Sequence, residues 1–107
     1  MALSPVLSIA TSGLRASSLR ATSAANNIVN INTPDYEATR VAQNTIRSGP
    51  NLSSGSALEA QLIGTEKGPN LGEEILQLIE VETTYRANAE VLRTASELSR
   101  DLLDTLA

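Results

Sequence analysis

The chain has 107 residues, 41% of them hydrophobic, with no Phe, Trp, Cys or His and a formal charge of −4. That length allows one domain at most, and the missing Cys and His exclude disulfides, thiol nucleophiles, thiolate or imidazole metal ligands and a histidine base, which removes most catalytic constellations. An acidic balance, scattered Arg residues and only Tyr36 and Tyr85 for base stacking make a poor footprint for nucleic acid.

At the N-terminal end the uncharged run 1–14 is too short and too rich in Ser and Thr to span a membrane. No basic residue precedes it as a cleavable signal requires, so the expectation is a chain that is soluble, or exported without a cleaved signal. Ser4 followed by Pro5 is a helix start, a capping side chain and then a proline where its missing N–H costs nothing. Leu7, Leu14, Ala21 and Ile28 then recur every seven residues, interleaved with Leu3, Ala10, Ser17, Ala24 and Ile31. This a/d pattern of a coiled coil predicts a helix over about residues 5–29. Gly13 weakens such a helix by ~1 kcal/mol relative to Ala, and it is either a tolerated defect or a point where another helix approaches closely.

Asn26, Asn27, Asn30 and Asn32 follow, with Thr33 pushed extended by Pro34. Asn enters the left-handed region and bonds to nearby backbone, so the cluster should end the helix and build a turn. An ordinary helix stop explains most of it; a chain crossing between subunits would use the number of adaptable donors and acceptors. Residues 37–46 alternate weakly and read as a strand or as continuing helix. Residues 48–70 hold four of the six Gly and two of the four Pro around an apolar patch at 58–63. They read as a linker or Ω-like loop with room for a short hairpin.

The last helix has a clear start: Asn70 as cap, Glu73 placed to reach back in a capping box, and Pro69 just before. Leu78, Val81, Tyr85, Asn88, Leu92, Ala95, Ser99, Leu102 and Leu106 alternate steps of three and four, which makes a partner-facing seam. Glu82, Arg86, Glu90, Arg93, Glu97, Arg100 and Asp104 fall on the opposite face with alternating sign, a solvated and self-stabilised surface. At the helix start, Leu71, Ile75, Leu76, Leu78 and Ile79 spread apolar surface nearly all round, which calls for burial on every side. Asn88 on the seam is a register device or a tolerated surface residue.

Glu73/Glu74 and Glu80/Glu82 are adjacent acids that helix-start placement explains as solvated groups. The GTEKG segment lacks the spacing of a phosphate loop, and Ser53, Ser54 and Ser56 have no base, so no catalytic, cofactor-binding or metal residues are expected. The fold class expected is all-α: two long terminal helices forming a coiled-coil-like hairpin, joined by a Gly/Pro-rich irregular segment. The N-terminal helix and Asn-rich box occupy 1–36, the connecting segment 37–70 and the heptad helix 71–107, as one structural unit. Fourteen of the apolar residues are Ala. At ~25 cal/mol per Å² an isolated chain so built is poorly placed against its chain entropy, and oligomerisation is the simplest remedy. The charge asymmetry, with the acids concentrated after residue 47, suits head-to-tail alignment.

Asn26, Asn27, Asn30, Thr33 and Tyr36 match the Asn-Asn-x-x-Asn-x-x-Thr-x-x-Tyr/Phe box that ends the first helix of flagellar rod and hook subunits, and Tyr85, Ala87, Asn88, Val91 and Leu92 match their Tyr-x-Ala-Asn-like C-terminal element. The chain thus resembles the bacterial flagellar axial proteins, most closely a short proximal rod protein, with Asp35 standing where rod proteins often carry Gly. The resemblance implies a non-enzymatic structural subunit of the basal-body rod, without cofactors or a small-molecule substrate, exported without a cleaved signal to the periplasmic rod. Its partners would be copies of itself, other flagellar rod or axial proteins and the flagellar export apparatus. The expected assembly interface comprises Leu7, Leu14, Asn26, Asn27, Ile28, Asn30, Thr33, Tyr36, Leu78, Val81, Tyr85, Asn88, Leu92 and Leu102. The other reading of the same residues is a self-contained helical-hairpin adaptor or coiled-coil interaction protein.

Overall fold

A computed structural model describes residues 3–47 and 56–106. The first helix, α1, runs Leu3–Val29, so Pro5 falls inside its first turn, where no intrahelical bond is lost. The Asn cluster stops it as its chemistry dictates. Asn30 donates its side-chain amide to the Asn26 carbonyl at 2.9 Å, and Thr33 donates its hydroxyl to Asn30 Oδ1 at 3.1 Å. The turn closes through Thr33 N–H to the Asn30 carbonyl at 3.0 Å. Asp35 then takes φ 59°, the left-handed conformation that Asp tolerates better than most residues and that Gly adopts freely.

The all-α expectation fails in the connecting segment. Residues 37–70 are not irregular: they carry β1 (Thr39–Arg47) and β2 (Ser56–Gly64), an antiparallel pair in register from Thr39↔Gly64 to Arg47↔Ser56, so the fold is mixed α/β. The strands satisfy each other's inward-facing backbone groups, and the hairpin packs on α1. It therefore needs no strong apolar alternation, and the sequence offers little. Residues 48–55, inside the expected linker, lie outside the described residues. Beyond Gly64 the ladder continues unevenly, since Thr65 donates its N–H to the Ala38 carbonyl at 3.1 Å while Ala38 N–H reaches Lys67 O at 2.7 Å. Glu66, bulged out between them, has φ 60°.

The second helix, α2, runs Leu71–Leu106. Asn70 caps it, accepting the Glu73 N–H at 3.2 Å, while the Glu73 carboxylate reaches Arg40 instead of closing a capping box. α1 packs against both α2 and the hairpin. The two helices are antiparallel, with Gly13 opposite Asn88 and Arg20 opposite Gln77 and Glu80. In this register α2 continues past the first described residue of α1. The radius of gyration is 17.6 Å, against the ~13 Å of a compact domain of this length, and the molecule measures 62 × 29 × 15 Å.

Small side chains fill the interior: Ala10, Ala16, Ala24, Ala38, Ala95 and Val81 are the buried apolar residues, joined by Ser17, Ser23, Asn27 and Glu74. Asn27 is the pivot of this arrangement. Its amide donates to the Thr39 carbonyl and its Oδ1 accepts the Thr39 N–H, both at 2.9 Å, as a neighbouring strand would. The Ser23 hydroxyl adds a bond to the same carbonyl at 2.9 Å. Asn27→Ala strips the Thr39 N–H of its partner in a buried site, and we expect a loss of about 2 kcal/mol in urea denaturation. Asn26→Ala, whose side chain is exposed, should stay within about 0.5 kcal/mol of the parent chain.

Candidate interaction surfaces

One ion cluster ties the base of the hairpin to the helices. Arg40 sends Nη1 to Glu74 Oε1 at 2.6 Å and to the Thr39 carbonyl at 3.0 Å, and Nη2 to Glu73 Oε2 at 3.1 Å. Glu74 is fully buried, and its Oε2 has no hydrogen-bond partner among the described residues. Beside it lies a cavity of ≈ 270 Å³ lined by Arg20, Ser23, Arg40, Gln43, Glu74 and Gln77 among others. Arg20 in turn donates to Gln77 Oε1 at 2.8 Å and to Glu80 Oε2 at 2.8 Å.

Glu74 was expected to be a solvated acid, and its burial corrects that reading. The signal was present in the heptads: counted backwards from Val81 and Leu78, the seam arrives at Glu74. Arg20, Ser23, Arg40 and Gln77 carried no comparable local signal, because their partners are distant in sequence.

The residues expected at an interface divide into three groups. Val81 and Asn27 are buried within the subunit, and Leu7, Leu14, Ile28, Asn30, Tyr36, Leu78, Asn88 and Leu92 are half-buried. Asn26, Thr33, Tyr85 and Leu102 are exposed. On α1 the buried row Ala10, Ser17, Ala24 follows the heptads, but Leu7, Leu14, Ala21 and Ile28 do not form the second row. Ala16, Ser23 and Asn27 are buried on the other flank, where the hairpin lies.

Many of the large apolar side chains are exposed. At one end of the molecule Val29, 80% exposed, joins Leu71, Ile75, Leu76 and Ile79 from the first turns of α2. At the other end Leu98, opposite the start of α1, and Leu102, Leu103 and Leu106, on the part of α2 beyond the first described residue of α1, are exposed, Leu106 at 83%. The whole chain exposes 7561 Å², against roughly 5,700 Å² for a compact protein of its mass. Each partner buries about 800 Å² in an interface of ordinary size, so the surplus is roughly twice one such share. Between the helices a groove of ≈ 460 Å³ is lined by Ser17, Ser18, Ala21, Leu78, Val81, Glu82, Tyr85 and Arg86.

The outer face of α2 is held by its own charges. Arg86 pairs with Glu82 at 2.8 Å, and Arg93 with Glu97 at 2.8 Å and with Glu90. The hydrogen bond from Arg93, then its charge, keeps the Glu90 carboxyl below its usual 4.5. Among the described residues no helix is long and apolar enough to cross a membrane, and no group of His, Cys, Asp or Glu could hold a metal ion. No family model matches the chain, and no curated protein matches it.

Arg40→Met leaves the Glu74 carboxylate buried without its ionic partner, and we expect about 3 kcal/mol of lost stability by urea denaturation. Arg40→Met combined with Glu74→Met should regain most of it, because an apolar pair replaces both charges. For the outer face, a carboxyl depressed in the folded state supports the helix above pH 4.5, and that support fades as pH falls through the folded value. In Arg93→Gln, carboxyl NMR should find the Glu90 midpoint raised toward 4.5.

Proposed function

We propose that the chain is a structural subunit of the bacterial flagellar basal-body rod, joining copies of itself and other axial proteins end to end and transmitting torque through its packed helices. The observation that carries this reading is the reversal of burial: alanines and serines make up most of the interior while large apolar side chains are exposed at both ends of an elongated molecule. Exposed apolar surface on this scale marks an interaction site. Because the two ends present different residues, contact between them is heterologous, the kind that propagates into a filament when its rotation does not close a ring. The box from Asn26 to Tyr36 and the element from Tyr85 to Leu92 add the resemblance to axial proteins.

Asn27 is engaged within its own subunit, which leaves Asn26 and Thr33 at the surface for a neighbour. Transmission of load needs no reactive group, only contacts that resist sliding. Buried apolar contacts between subunits do this where exposed ion pairs, at about 0 to 1 kcal/mol each, do not.

The adaptor reading differs in its outcome, since it requires a discrete dimer or tetramer at micromolar concentration. The test uses Leu76→Asp and Ile79→Asp, both at exposed positions, so the helix content of the purified chain should match the parent by circular dichroism. We expect each variant to be made and exported, yet to be missing from purified basal bodies, because a carboxylate would be buried against apolar partners. Normal incorporation and motility in both variants would sink the proposal.

A further inference from the structure

The fully buried rows of α1 have almost no relief. Ala10, Ser17 and Ala24 stand seven residues apart, and Ala16 and Ser23 likewise, all of them buried. Sliding α1 by one heptad along α2 lays Ala on Ser and Ser on Ala, so the packing of these fully buried rows alone hardly separates the native register from its neighbours. The difference must come from shape and from the polar ties that run through the hairpin, Asn27 to Thr39 and Arg40 to Glu74. The relief available is at Gly13, where a methyl group would lie 2.6 Å from Asn88 Nδ2 and 2.8 Å from its Cγ and Oδ1. The Asn88 carboxamide therefore sits directly on the bare backbone of α1, closer than any other residue type at position 13 permits.

We infer that Gly13 and Asn88 form a notch and key that fixes the antiparallel register of α1 against α2 and selects this pairing over its heptad-shifted alternatives. After a shift of seven, Asn88 faces Val6 or Arg20, whose side chains occupy the space its amide needs, and Gly13 faces Val81 or Ala95. A polar residue placed once on an otherwise small and apolar seam has the same use in coiled coils, where it specifies register at some cost in stability. The Arg20 bonds to Gln77 and Glu80 act in the same direction through a long flexible stem, whereas the Gly13 contact seats the Asn88 amide directly on the α1 backbone. The register also decides how far α2 extends past α1. The inference concerns pairing within one chain and stands whether or not the rod reading holds.

The chain has no cysteine, so spin labels can be placed by Thr22→Cys and Thr94→Cys, both exposed, with labelled protein diluted in unlabelled. A slip of one heptad moves these sites by about 10 Å along the helix axis. We expect a single distance in the parent chain, and a distance displaced by about 10 Å, or a mixture of distances, in Gly13→Asn and in Asn88→Gly. Exchanging the two residues, Gly13→Asn with Asn88→Gly, should restore the single parental distance. Either single variant keeping the parental distance and width overturns the inference, as does an exchanged chain that is helical yet displaced. If the exchanged chain fails to fold, Gly13→Ala is compared with Gly13→Ala/Asn88→Ala. Equal distances in those two chains likewise overturn it, and restoration only in the second supports it.

Discussion

The side-chain amide of Asn27 behaves as a piece of β-strand, and the rest of the fold is arranged around that substitution. A carboxamide presents a donor and an acceptor at nearly the spacing of a peptide group, so a buried Asn on a helix can terminate a strand edge that no other strand reaches. Here it holds Thr39 at both backbone atoms. With Thr39 fixed, Arg40 is delivered to the acids at the start of α2, and the hairpin covers the flank of α1 that holds Ala16 and Ser23. Release of that one residue would free a strand, an ion cluster and a helix face together.

Small interior residues have a consequence for energetics. Alanine and serine let the helices approach closely, but each contributes little transfer free energy, and among the described residues every larger apolar side chain but Val81 is only half-buried or exposed. Polar contacts must then supply specificity within the subunit, at Thr39 and at Glu74. The Glu74 site shows the limit of that strategy, because a buried carboxylate with one unsatisfied oxygen recovers only part of its desolvation cost.

Much of this was legible in the sequence where the signal is local. The heptads gave both helices, the Asn cluster gave the stop after Val29, and Asn70 gave the cap of α2. The hairpin was only partly legible: the sequence leaves a strand at 37–46 and a short hairpin within 48–70 open, because the strands have little alternation of their own and the choice is made by their pairing with each other and by their packing on α1. The second flank of α1 was misplaced for the same reason. Asn27 looked like one Asn among several because its partner lies twelve residues away and across a turn. Glu74 shows the opposite error, in which local helix-start chemistry offered an explanation and hid the continuing seam.

The elongated outline changes how a single molecule moves through water. A radius of gyration of 17.6 Å is that of a compact protein of roughly 240 residues, about twice this chain. On a sizing column one subunit will travel near the position of a globular dimer, and its diffusion will be slow for its mass. Subunit number in solution is therefore to be read from light scattering or sedimentation equilibrium, which respond to mass and not to outline.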